Sequence, residues 1–256
     1  MFQIIEYIKF IFKSTNQHGV HSPFVYDLVT KCFYDKTKHD AYSSLSEYRK
    51  SLLKNKQQIK ITDFGAGSRV FKTNLRAINS IAKTSGSTLN RTNLLYRLVR
   101  YFKPQHTLEL GTSLGIATQA IALGHSKNHV VTIEGCSNIS DFTKQQLNEF
   151  NVHNVTLKIG EFDNALLELQ DNNFNLVFFD GNHNKKATLK YFNLLVNKAH
   201  NDSVFIFDDI HWSKDMIEAW EIIKTHPKVT ISIDTFFWGL IFFRKEQAKE
   251  NFTIRL

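Results

Sequence analysis

LELGTSLG, Leu108 to Gly115, sits where a short apolar run, His106–Leu110, gives way to a helical pattern. Glycine at 111 permits a backbone bend and a close ligand approach that a β-carbon would obstruct, and Gly115 lets the helix begin near the strand. Loop amides and a helix start placed this way face a polar ligand.

Working outward, four further apolar runs follow at His129–Ile133, Val155–Ile159, Asn175–Asp180 and Ser203–Asp208, with helical patterns between them. Such alternation predicts right-handed crossovers and a parallel sheet covered on both faces. Val229–Asp234 and Trp238–Phe243 are separated by only three residues, too few for a crossover helix, so the last strand should run antiparallel. The expected fold is α/β, a doubly wound, mostly parallel seven-stranded sheet with an antiparallel last strand. Upstream, Phe2 to Lys13, Pro23 to Tyr34 and Ser44 to Lys54 read as helices, Ser22 and Pro23 forming a good helix start. Further helical patterns run from Phe71 to Lys83 and from Leu89 to Phe102. The expected division is an N-terminal helical appendage with a glycine-rich turn over 1–84 and a ligand-binding domain over 85–256.

Glu134 follows Gly111 by 23 residues, at the end of the second candidate strand. A carboxylate there can accept hydrogen bonds from both hydroxyls of a ribose. The loop is not the dinucleotide fingerprint, because GxGxxG laid on Gly111 would need glycine at Ser113 and Ile116. A nicotinamide or flavin dinucleotide is therefore disfavoured. DFGAGS, Asp63 to Ser68, offers similar glycines but has no acidic strand end about twenty residues later, and reads as a turn in the appendage.

LELGTSLG, then TIEG, FNLVFFDGNH and VFIFDD, with the final hairpin, resemble the class I S-adenosylmethionine-dependent methyltransferases, especially the small-molecule O-methyltransferase branch. The resemblance covers roughly Thr84 to Phe243. The earlier segment, with HGVHSPF and DFGAGS, is similar to the leader of a bacterial methyltransferase-like subgroup of uncharacterised role and imports no function. The resemblance implies that Gly111 and its neighbours Glu109, Thr112, Ser113 and Gly115 approach the amino-acid end of S-adenosylmethionine. It implies that Glu134, with Gly135, holds the ribose. By the same resemblance the turn at Gly160, Glu161 and Phe162 borders the adenine, and Asp180 also lines the cofactor site.

Transfer of an activated methyl group needs the acceptor held in line and its hydroxyl helped to ionise. Asp180, Asp208 and Asp209 end the fourth and fifth strands, the edge where open parallel sheets bind ligands. Three carboxylates brought together repel, and Mg²⁺ relieves that repulsion while leaving positions for substrate oxygens. The resemblance assigns these same three residues to metal in metal-dependent relatives. Where some relatives carry a basic group just after the strand-four acid, this chain has Asn182, so His183 is the substitute base, beside Asp180. Aspartates also commonly end strands and cap helices, and that plainer reading stands beside the metal. His211 is a further pocket candidate.

Composition sets the outer bounds. The 256 residues are 42% hydrophobic and 22% charged, enough for an ordinary core. Two cysteines without metal or redox spacing point to a reducing cytoplasm. The apolar run from Met1 to Phe12 is broken by Glu6 and Lys9 and is too short to span a membrane; a packing helix and a membrane-surface helix are the two readings. Between Arg69 and Lys103 stand eight Lys and Arg and no acid, matching the whole formal charge of +8. Solvated helix faces explain this. An RNA methyltransferase, with nucleic acid as partner, is the rival reading, and a non-catalytic cofactor-binding module the third. DGNH after strand four argues against amino-group methylation. A homodimer is common among such enzymes.

Overall fold

The structure, a computed structural model, describes residues 2–62, 73–169 and 173–256. The DFGAGS turn, Arg69 and Lys72 lie outside the described residues. In chain order the elements are α1 (Phe2–Lys13), α2 (Pro23–Leu28), α3 (Ala41–Lys54), β1 (Gln58–Lys60), β2 (Leu75–Ala77), α4 (Ile78–Thr84), α5 (Leu89–Phe102), β3 (His106–Leu110) and α6 (Ile116–Gly124). There follow β4 (His129–Glu134), α7 (Ser137–Glu149), β5 (Val155–Ile159), α8 (Phe162–Glu168), β6 (Leu176–Phe179), α9 (Lys185–Val196), β7 (Val204–Asp208), α10 (Lys214–Thr225), β8 (Ile231–Asp234), β9 (Trp238–Phe242) and β10 (Glu250–Thr253). The chain divides into two compact units, one of residues 1–35 with 173–256 and one of residues 36–172.

In the 36–172 unit, β3, β4 and β5 run parallel in that order, with Leu110 opposite Ile133 and Glu134 opposite Ile159. Strands β3 and β4 are buried almost throughout, as strands covered on both faces must be. Thr88 caps α5 by accepting from the Arg91 amide, and α5 packs along α6. The helix stops at Lys103, which is left-handed and is followed by Pro104, a residue that cannot continue it. β1 and β2 form a separate antiparallel pair. The helix expected from Phe71 therefore begins only at Ile78, because Leu75–Ala77 bonds to Gln58–Lys60 instead.

In the other unit the strands are ordered β10-β8-β9-β7-β6. β6 and β7 are parallel, and β9 is antiparallel to both β7 and β8, as the short hairpin requires. β10 adds one strand beyond those expected and runs parallel to β8. The core here is aromatic: Phe179 stacks on Phe207 at 4.3 Å, and Trp220 and Trp238 are fully buried. Ser22 does cap α2, accepting from the Val25 amide. No described helix is long and apolar enough to cross a membrane.

Candidate functional site

The tips of β3, β4 and β5 are tied to one another. Gly111, at φ 105°, donates its amide to the Ile133 carbonyl at 3.0 Å, and Gly160 donates to the Glu134 carbonyl at 3.0 Å. The bend at Gly111 swings the Ser113 amide onto Glu134 Oε2 at 2.9 Å, while the Cys136 amide donates to Oε1 at 3.0 Å. Two fixed amides, one on each oxygen, orient the Glu134 carboxylate. The loop is braced from behind as well. Tyr48 donates to the Leu114 carbonyl at 2.8 Å and Thr143 to the Ser113 carbonyl at 2.7 Å. Burial pushes the Tyr48 hydroxyl far up from its ordinary value, which keeps it a donor. Gly115, at φ 73°, opens α6; a β-carbon there would stand 2.7 Å from both the Tyr48 hydroxyl and Thr143.

Other residues expected around this cradle fall into two groups. Gly135, Gly160 and Phe162 are half-buried and Glu161 is exposed at the start of α8, all near strand tips. Thr112 and Glu109 are buried. Glu109 Oε2 accepts from Thr118 at 2.5 Å and from Thr132 at 2.6 Å, and Thr112 shares a 2.6 Å hydrogen bond with Thr132. Glu109 Oε1 is buried without a hydrogen-bond partner among the described residues. Burial, only partly offset by the two threonine hydroxyls, raises the Glu109 carboxyl to about 7. Sequence reasoning missed Thr118 and Thr132; the available signal was a hydroxyl inside otherwise apolar runs, IATQAIA and VVTIE.

In the unit that holds β6 and β7, Asp180, His183 and Asp208 converge, each offering a ligand atom within 4.8 Å of the others. His183 Nε2 lies 3.8 Å from Asp180 Oδ1, too far for a hydrogen bond but close enough to share a cation or a proton acceptor's task. Asp208 is buried and Asp180 and His183 half-buried. The DGNHN turn makes this possible: Asn182 is left-handed, at φ 57°, and donates to the Tyr191 hydroxyl at 3.0 Å, while Asn184 caps α9. Asn182 is thus engaged elsewhere, and His183 is the basic group that approaches Asp180. Among the described residues this group closes without Asp209, which is left-handed at φ 55° and accepts the Trp212 amide through its carbonyl. Ser213 caps α10. His211 bonds Asp234 at 2.8 Å and stacks on Phe236.

Residues 108–210, which run from β3 through the loop, Glu134 and Asp180 to just past Asp208, match the family model described as Methyltransferase domain. Over those residues the chain is similar to a methyltransferase domain. Solved structures share the fold at low identity. The O-methyltransferase from Bacillus cereus in complex with SAH aligns with a TM-score of 0.57 at 18% identity, over 86% of this chain and 97% of that one. The O-methyltransferase TomG from Streptomyces achromogenes, involved in tomaymycin synthesis and solved with SAM, gives 0.58 at 17%, over 84% and 95%. SAH-bound methyltransferase PaMTH1 from Podospora anserina gives 0.61 at 15%, over 88% and 97%. These likenesses establish the methyltransferase fold, with its mostly parallel sheet and reversed strand β9. No curated protein matches the sequence.

Proposed function

We propose that this protein is an S-adenosylmethionine-dependent methyltransferase acting on a hydroxyl of a small-molecule acceptor, with help from a divalent cation. One observation carries the reading: the Ser113 and Cys136 amides fix the Glu134 carboxylate beside the Gly111 bend, an arrangement suited to the two hydroxyls of a nucleoside ribose. Gly111, Thr112, Ser113 and Gly115 shape the loop for the amino-acid end, Gly135 extends the ribose contact, and Glu161 and Phe162 border the base. Glu109 backs the loop through Thr118 and Thr132. The bound cofactor supplies an activated methyl group on a sulfonium. The neighbours solved with SAM or SAH support this choice of ligand.

Asp180 and Asp208 are the carboxylates that would hold a cation, Asp209 being the remaining acid of that strand end. His183 is the acceptor of the hydroxyl proton, and Asp180 steadies the imidazolium that results. Two carboxylates suit Mg²⁺, which leaves the His183 imidazole to take the proton. Residues 85–256 carry the catalytic domain in this reading, and 1–84 form an accessory segment.

Thermal unfolding with S-adenosylhomocysteine tests the cofactor. At a hundredfold excess over Kd the stabilisation is about 2.7 kcal/mol, or roughly 5–10 °C for a chain of this size. Glu134→Ala abolishes the shift, and Asp208→Ala removes any further gain given by Mg²⁺. No shift at millimolar nucleoside contradicts the proposal. Binding without turnover on any acceptor class indicates a binding module, and salt-steep RNA binding indicates an RNA acceptor.

A further inference from the structure

The N-terminal helix α1 wears its apolar side outward. Ile4, Ile8 and Phe12 recur every fourth residue and, with Ile5, occupy an arc of about 100° at 3.6 residues per turn. These side chains are exposed, Ile4 at 65% and Phe12 at 88%. The opposite side is the one that packs: Phe10 is buried, and Tyr7 and Phe10 lie against Phe236 at 4.9 and 5.5 Å.

The helix is held in this attitude. Immediately after it, Thr15 donates its amide to Thr253 and accepts from the Arg255 amide, so the chain leaving α1 is bonded to the strand ending in Thr253. The outward stripe is therefore presented by a fixed helix. Lys9 and Lys13 flank it on one side, and Arg255 and Leu256 lie exposed beside the end of the helix. Glu6, on the packed side, takes part of the Lys9 charge at 2.7 Å.

We propose that α1 docks flat on an anionic bilayer surface. Helices that lie in the interface bury an apolar stripe among acyl chains while flanking Lys and Arg reach the phosphates. Twelve residues cannot span a bilayer, and α1 is already packed on one side, so it inserts only its outer stripe. Charge favours this occupant over a second copy: Lys9, Lys13 and Arg255 border the stripe, and a second copy would bring the same cations where an anionic surface offers phosphates. Size does so too, since four side chains supply roughly half of the ~800 Å² per partner that a stable interface buries.

The test is co-sedimentation of the full chain with extruded vesicles of phosphatidylcholine containing 30% phosphatidylglycerol, set against phosphatidylcholine alone. The wild type binds the anionic vesicles at least tenfold more strongly, and binding weakens with added salt. Ile8→Asp with Phe12→Asp abolishes it, Lys9→Glu with Lys13→Glu weakens it at least fivefold, and Ile222→Asp, a change at another exposed isoleucine, leaves it intact. The altered positions are exposed, so unfolding temperatures should stay within a few degrees of the wild type, separating lost docking from lost folding. Failure to bind anionic vesicles, or equal binding by the Ile8→Asp, Phe12→Asp protein, overturns the proposal. A concentration-dependent dimer in light scattering that dissociates on Phe12→Asp, with no vesicle binding, assigns the stripe to a second copy instead.

Discussion

At the scale of single residues, Glu109 has the environment least suited to its charge. It is fully enclosed, keeps two threonine hydroxyls on one oxygen and holds its carboxyl at about 7 against an ordinary 4.5. A raised carboxyl means that the folded state retains its proton over a pH range in which the unfolded chain has lost it. Stability contributed by the protonated group is present at low pH and lost as pH rises from about 4.5 through about 7, after which the loss levels off. The size of that loss is on the order of 3 kcal/mol. Glu109→Gln keeps the shape and removes the charge. Urea unfolding should find the variant within about 1 kcal/mol of the wild type at pH 5 and roughly 2–3 kcal/mol more stable at pH 8. A difference that does not change with pH would show that ionisation at this site is not what limits stability.

Elements are positioned by a few such residues, and α6 is the clearest case. Its start at Gly115 combines a φ of 73° with a β-carbon position 2.7 Å from Tyr48 and Thr143. Gly115→Ala is expected to cost about 1–3 kcal/mol from backbone strain and crowding. Because Tyr48 and Thr143 also hold the Leu114 and Ser113 carbonyls, the same variant should weaken S-adenosylhomocysteine binding severalfold in calorimetry. What was legible in the sequence follows the same division. Strands β3 to β9 could be read because each is a short run rich in apolar residues closed by a turn residue, and all but the half-exposed β5 are buried. β10, ENFT, could not, since it buries only Phe252, and neither could β1, where Ile59 alone is buried. Asp180 and Asp208 were visible as acids at strand ends. The approach of His183 to them depends on the left-handed Asn182 and the Asn184 cap, which periodicity does not reveal. The threonines around Glu109 depend on strand register, which sets Thr132 opposite it, and on the packing of α6, which brings Thr118, and both are tertiary facts.

On the scale of the whole molecule, the first 35 residues belong to the same compact unit as residues 173–256, and β10 supplies the backbone part of the seam. Its backbone pairs with β8, the Glu250 amide bonds Thr230 and the Ile254 amide bonds Asp234. On the other side Thr15 pairs with Thr253 and Arg255, the Tyr34 hydroxyl donates to the Arg255 carbonyl at 2.6 Å, and Ser22 donates to Gln247 at 3.1 Å. Phe252 and Ile254 are buried in this seam. The N-terminal segment is thus secured by a strand nearly the full chain length away, so its order should depend on that strand. Deleting residues 250–256 removes both buried side chains, each comparable to a core truncation of about 2–5 kcal/mol. At roughly 2–4 °C per kcal/mol the unfolding temperature should fall by about 8 °C or more. Limited chymotrypsin digestion should then cut between Phe10 and Phe33 well before the rest of the chain, because Thr15 and the Tyr34 hydroxyl lose their partners Thr253 and Arg255 along with the strand. If the segment stayed protected and the melting temperature held, Tyr7, Phe10 and the hairpin at Phe236 would suffice to order it, and β10 would be no more than an edge.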